Sequence, residues 1–167
     1  MSRKEVRAAI ATYISNGNID NLNQVLTSFP KRINFQINSK AGQQSRAAGV
    51  VFITDETEAR IAVGGVDNAG VGHGWKRIDY TIDFQIFHHS MLRESEDVMD
   101  NFDALIDGVK DRLRAGGHRL GLSDGSIIWQ AAEPSISVNY GEPVTNNGGA
   151  TETWASIRFT VTQMIQA

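Results

Sequence analysis

The spacing of hydrophobic positions changes several times along the chain, and each change marks an element. Val6, Ala9, Ile10, Tyr13 and Ile14 recur at helical period. Ser2 precedes them with Glu5 three residues on, the spacing of a capping box. Asn16-Gly17 supplies the stop, because glycine reaches the left-handed conformation beyond a helix end without strain. The pattern predicts a helix from about Arg3 to Ser15. Leu22, Val25 and Leu26 predict a second, short helix that Phe29-Pro30 ends. After Pro30 the period becomes two: Ile33, Phe35 and Ile37 alternate with polar residues, as in a half-buried strand. A polar loop from Asn38 to Arg46 follows. Val50 to Thr54 and Thr57 to Val63 then read as two strands joined by a tight turn at Asp55-Glu56.

Residues 64–74 hold five glycines, which makes fixed structure entropically costly and predicts a mobile loop. The strictest alternation in the chain comes next. Ile78, Tyr80, Ile82, Phe84 and Ile86 point one way, while Arg77, Asp79, Thr81, Asp83 and Gln85 point the other. A long helix is predicted from about Glu94 to Arg114. Its stripe is Val98, Phe102, Leu105, Ile106, Val109 and Leu113; acidic residues begin it and Lys110, Arg112 and Arg114 end it, matching the helix dipole. Beyond Gly116-Gly117 the pattern is β again: Ile127 to Gln130, then Ile136, Val138 and Tyr140 in alternation. A loop follows from Gly141 to Gly149, and last a strand with Ala155, Ile157, Phe159 and Val161 on one face. Strands flank the long helix on both sides in sequence. The simplest solution is an α+β single-domain sandwich over 1–167. It has a mostly antiparallel sheet, with the N-terminal helix and the long central helix packed on one face.

Composition agrees with a folded chain. Its 167 residues have mass 18.3 kDa, 41% hydrophobic and 21% charged residues, net charge -3 and mean hydropathy -0.26. A chain of this mass can bury about 70% of its unfolded surface without metal or disulfide staples. The balance excludes bulk disorder, and no apolar run reaches the length of a membrane span. With no cysteine, thiol nucleophiles, disulfides and thiolate zinc sites are excluded. The N-terminal residues carry no secretory pattern. A net charge of -3 does not favour gripping nucleic acid through its phosphates.

Catalytic motifs fail on context. Gly121-Leu122-Ser123-Asp124-Gly125 has the spacing of a nucleophile elbow. That motif needs a strand before the serine and a helix after it, and the histidine must follow the serine; here the last histidine is His118. His88 and His89, adjacent on a strand, face opposite sides and cannot chelate one metal. Asp79 and Asp83 share a face but lie about 13 Å apart, too far for a paired acid and base. The glycines at 64–74 do not form a phosphate loop. Lys110, Arg112, Arg114, His118 and Arg119 read as helix C-terminal charge. No catalytic, cofactor or metal residue is assigned. The final strand, with β-capable residues up to Ile165, reads either as an ordinary core strand or as an edge strand that a monomer would have to protect, and the latter suggests an oligomer.

The order of segments resembles tail terminator proteins of bacteriophages with long, non-contractile tails, especially those of actinobacterial hosts. The resemblance is carried by residues 3–10 (RKEVRAAI), 28–32 (SFPKR), 74–80 (GWKRIDY), 87–90 (FHHS), 97–107 (DVMDNFDALID), 140–143 (YGEP), 153–155 (TWA) and 162–167 (TQMIQA). It spans nearly the whole chain, and none of these segments is a catalytic signature. It implies a structural virion protein and no enzyme. Six copies would form a ring on the head-proximal end of the tail tube, stop its growth and join tail to neck. Implied partners are further copies of the chain, the major tail tube protein and the neck or stopper protein, with the tape-measure protein acting indirectly. DNA passes the lumen without specific binding, and no cofactor or membrane is involved. The implied location is the tail–neck junction of the virion, after synthesis in the host cytoplasm.

On that reading the loops 38–46 and 141–149 lie at ring-to-ring contacts, giving Arg46, Glu142, Asn146 and Asn147 as candidate interface residues. The glycine loop and terminal strand lie at subunit edges, adding Asp67, His73, Trp75, Trp154 and Arg158, with Trp75 and Trp154 as anchors. Alternatives are a head-completion or stopper protein of the neck, a tail tube subunit, or a small-molecule-binding α+β domain or enzyme. An apolar pocket with convergent polar groups would mark the last of these.

Overall fold

A computed structural model of the chain describes residues 2–30, 37–38, 40–66, 72–115, 120–121, 127–130 and 136–166. The predicted strand at Ile33 and Phe35 lies outside the described residues, as do 67–71 of the glycine-rich stretch. The elements, in order, are α1 (Arg3–Ser15), β1 (Leu22–Leu26), β2 (Ser45–Val66), β3 (Gly72–Ser90), α2 (Ser95–Ala115), β4 (Leu120–Gly121), β5 (Ile127–Gln130), β6 (Ser137–Tyr140), β7 (Val144–Thr145) and β8 (Thr151–Gln166). One sheet runs β1-β2-β3-β8-β5-β4, and β6 and β7 also pair with β8. Only the β1–β2 pairing is parallel among the described strands. The fold is α+β.

Strict alternation in β3 and β8 makes the core. Ile78, Tyr80, Ile82, Phe84 and Ile86 meet Ala155, Ile157, Phe159 and Val161 on one face. Val6, Ile10 and Ile14 of α1 and the predicted stripe of α2 cover that face. Both bonds of the capping box form at Ser2 and Glu5. Arg112 ties the two helices together. Its Nε donates to the Tyr13 carbonyl (3.0 Å), its guanidinium lies 4.0 Å from the Tyr13 ring centre, and the Tyr13 hydroxyl donates to the Arg112 carbonyl (2.8 Å). Lys110 and Arg114 pair with Asp107 and Asp111 one turn back, so local contacts account for the described part of the basic cluster.

The structure corrects five expectations. Residues 22–26 form a strand, not a helix. Asn18 and Asn21 take left-handed backbone conformations (φ 48° and 63°) that break helical propagation. The Ala47 N–H donates to the Asn21 carbonyl (2.7 Å), leading Leu22–Leu26 into parallel register with Ala47–Val50. Gly17, in turn, is not the left-handed residue. A Cβ there would lie 2.9 Å from Arg112 Cδ, so glycine leaves room for that side chain.

Asp55-Glu56 makes no turn: β2 runs through it with a register shift between Ile53 and Asp55. The long alternation of β3 offers partners on both sides of the shift, and a bulge accommodates the extra residue. Arg46 and His73 are strand residues rather than loop residues. Finally, β8 is not an edge strand. It has β3 on one side and β5, β6 and β7 on the other, so its run of β-capable residues belongs to an interior strand.

Gly49 faces the core beneath Phe84, where an added Cβ would sit 2.0 Å from the ring's Cζ. Gly49→Ala is expected to cost about 2 kcal/mol by overpacking, measured by urea unfolding. In the double variant with Phe84→Leu the summed cost should shrink by about 1 kcal/mol, because the smaller side chain frees the space. Additive costs would refute this packing account.

Candidate functional site: a groove on the helix-free face

Alternation along residues 45–53 of β2, 74–90 of β3 and 151–165 of β8 sends every second side chain away from the helices. On that face Arg46 and Val50 project from β2, Phe87 and His89 from β3, and Glu152 and Trp154 from β8. Cross-strand register places Phe87 opposite Trp154 and His89 between Arg46 and Glu152. Phe29, Pro30 and Ile37 close one side, and Glu142 and Val144 close the other. Together they bound a groove of about 740 Å³.

Its floor is aromatic. The Phe29 ring stacks on Phe52 (centroids 6.4 Å) and meets Phe87 edge-on (5.9 Å), yet Phe29 stays 56% exposed. Trp154 is 42% exposed and lies against Gly141, where a Cβ would fall 1.9 Å from the indole Nε1. Glycine at 141 is therefore a condition for this indole position. The rim is charged. His89 Nδ1 stands 3.8 Å from Glu152 Oε1, while Arg46 and Glu142 make no side-chain hydrogen bond or ion pair among the described residues. Large exposed apolar side chains beside charged groups form a surface suited to docking a partner.

Beyond the groove the same face turns polar. The Ser156 hydroxyl donates to Asp83, the Thr162 hydroxyl donates to Asp79, and Arg77 Nε lies 2.9 Å from Asp79 Oδ1. Both aspartates are thus held by hydroxyls on β8. Trp75, 44% exposed, stands at the far end of this face, paired in register with Gln166.

Of the nine predicted interface residues, the groove brings together Arg46, Glu142 and Trp154. Arg158 is exposed midway along the face, in register with Asp83. Asn146 shapes its own turn: its side-chain oxygen accepts from the Gly148 and Ala150 N–H groups (3.0 and 3.1 Å). Asn147 is exposed beside it. His73 lies in β3, its side chain outside the described residues, and Asp67 is outside them altogether. Sequence reasoning missed Phe29, Phe87, Val144 and Glu152. A signal for Phe87 was present: it is an aromatic at a position whose parity belongs to the polar face.

His88 and His89 divide as expected, one inward and one outward. His88 is buried, with Nδ1 3.0 Å from Thr153 Oγ1 and its ring 5.3 Å from that of Phe102. Its Nε2 has no hydrogen-bond partner among the described residues. Burial, reinforced by His89, lowers its pKa to about 4. Residues 122–126, the centre of the elbow-like motif, lie outside the described residues. The flanking β4 and β5 pair with each other as antiparallel strands, a strand-to-strand connection where an elbow needs strand-to-helix. Among the described residues no set of three His, Asp or Glu side chains is placed to hold a metal ion.

No protein-family model matches the chain, and a search of curated proteins gave no significant match.

The His88 shift fixes a pH dependence. The folded pKa lies below the unfolded 6.5, so the unfolded chain binds the proton first and stability falls as pH drops from about 6.5 towards 4. By pH 5 the loss should be about 2 kcal/mol relative to pH 7.5. In urea titrations at the two pH values, His88→Phe should reduce the fall by that amount. Equal falls in both proteins would overturn the assignment.

Proposed function

We propose that the protein is a tail terminator of a phage with a long, non-contractile tail. It is a structural ring protein that caps the head-proximal end of the tail tube, stops its polymerisation and joins the tail to the neck. Two lines support this reading. The order of sequence segments resembles that family, and the α+β sandwich is the fold the resemblance implies. The observation that carries it is the helix-free sheet face, with its aromatic groove and the charged side chains of Arg46 and Glu142 at its rim. A surface of this kind gains free energy by docking against another protein.

Termination requires a ring with two unlike faces. One face complements the last tube subunits; the other lacks the tube's growth surface and receives the neck. Six copies arranged around the lumen present six grooves, so a weak contact at each becomes a firm one through multivalency. DNA passes through the lumen, where a chain of net charge -3 gives no tight phosphate grip. The protein then acts at the tail–neck junction of the virion, after synthesis in the host cytoplasm, without cofactor or membrane.

The groove also favours a second reading. Its volume of about 740 Å³ falls in the range of small-molecule sites, and Arg46 and Glu142 supply convergent polar groups. Deleting the reading frame from its phage genome and imaging the particles by negative-stain electron microscopy separates the readings. A terminator predicts DNA-filled heads beside overlong, unattached tails. Tails of normal length beside leaking heads would place the protein in the neck instead, and unchanged infectious particles would refute the assembly role and favour the ligand site.

A further inference from the structure

The chain contains two Asn-Gly pairs, Asn16-Gly17 and Asn147-Gly148, and the fold holds them differently. An asparagine before glycine is open to spontaneous loss of its side-chain amide, because no side chain shields the glycine nitrogen. Asn16 caps the end of α1. Its backbone is held at φ -71° and ψ -5°, and the Gly17 N–H donates to the Ile14 carbonyl (3.0 Å). Gly17 also packs against Arg112, which ties α1 to α2. Turning the Gly17 nitrogen towards the Asn16 side chain would therefore unravel a helix end and disturb that tie. Asn147 and Gly148 sit instead at the centre of an exposed turn between β7 and β8. The Asn146 N–H donates to the Ala150 carbonyl (2.9 Å) and the Gly149 N–H to the Asn146 carbonyl (3.0 Å), closing the turn. Within it the Gly148 N–H donates to a side chain, Asn146 Oδ1 (3.0 Å), which also accepts from the Ala150 N–H (3.1 Å).

We infer that Asn147 is a site of spontaneous deamidation and that Asn146 restrains it by holding the attacking nitrogen. In the reaction the Gly148 nitrogen gives its proton to hydroxide and bonds to Asn147 Cγ, and the side-chain amide leaves as ammonia. Water then opens the five-membered imide at either carbonyl, leaving aspartate or isoaspartate at 147. The product adds one negative charge to the chain's net -3, and isoaspartate puts an additional carbon into the main chain of the turn. While its N–H is committed to Asn146 Oδ1, the Gly148 nitrogen neither loses its proton to hydroxide nor turns towards Cγ. Asn146 is thus a positioning residue that slows the chemistry of its neighbour. The inference concerns the free chain and is independent of the proposed function.

The test ages the full chain in mildly alkaline buffer and follows both Asn-Gly peptides by mass spectrometry. In the wild type, Asn147 should convert faster than Asn16. Asn146→Ala should speed conversion at Asn147 about fivefold, the Boltzmann factor of one ordinary hydrogen bond. Asn16 should keep its rate and so serves as the internal standard, since a general loosening of the fold would accelerate both sites. Asn146→Asp, which keeps an acceptor oxygen for the Gly148 N–H, should hold Asn147 near the wild-type rate. In concentrated urea the two pairs should convert alike, because the difference between them belongs to the fold. Equal rates at the two sites in the folded wild type, or an Asn147 rate indifferent to Asn146→Ala, would overturn the inference. So would an Asn146→Ala protein in which both sites accelerate together.

Discussion

The structure depends on one ladder. β3 and β8 pair antiparallel without a register shift from Trp75 opposite Gln166 to Ser90 opposite Thr151. A slip of one residue in such a pair would turn every side chain of the strand to the wrong face. Here it would carry Ile157, Phe159 and Val161 out of the core and put Arg158 and Thr160 in. The apolar cost of that exchange is many times the free energy of any single surface contact, so the register is fixed. With it fixed, β2 must follow β3 along its length, even at the expense of a bulge near Asp55. On the other side, β5, β6 and β7 find their places along β8.

That ladder also explains why one sheet face carries neither of the two helices. Both helices lie on the side of Phe84 and Phe159, and Arg112 joins them through Tyr13. The opposite side is kept compatible with water over its middle by Asp79, Asp83, Thr162 and Ser156, whose side chains hydrogen-bond one another across β3 and β8. Along β3 and β8 the aromatic residues of this face stand towards the ends, at Trp75 and at Phe87 with Trp154, while on β2 Phe52 stands in register with Asp83 and carries the Phe29 ring. This distribution of polar and aromatic side chains is what the proposed role in assembly would draw on.

The helix-facing core bears on the same surface from behind. His88 sits one residue from His89, so the two imidazoles report opposite sides of one strand. The inward ring is desolvated against Phe102, which makes the neutral form part of the native state. The outward ring lies in the groove rim beside Glu152. Gly141 has a comparable double role, pairing its N–H with the Trp154 carbonyl while leaving the space that the Trp154 indole occupies.

The sequence by itself determined α1, α2, and the faces of β3 and β8, because each of these elements carries a long, unbroken period that local geometry converts directly into a buried side. It misled where the period was short or shared. Leu22, Val25 and Leu26 fit a helical spacing, but they became a strand because the asparagines before them turned the chain and β2 offered an edge. β8 looked like an exposed edge because a strand's own residues do not record which strands lie beside it. The groove was least legible of all. Arg46, Glu142 and Trp154 stood out singly, but Phe29 and Phe87 join them only through the pairing of β2 with β3 and β3 with β8. Cross-strand pairing brings together residues more than a hundred positions apart, and no local pattern encodes that meeting; only the register of the folded sheet decides it.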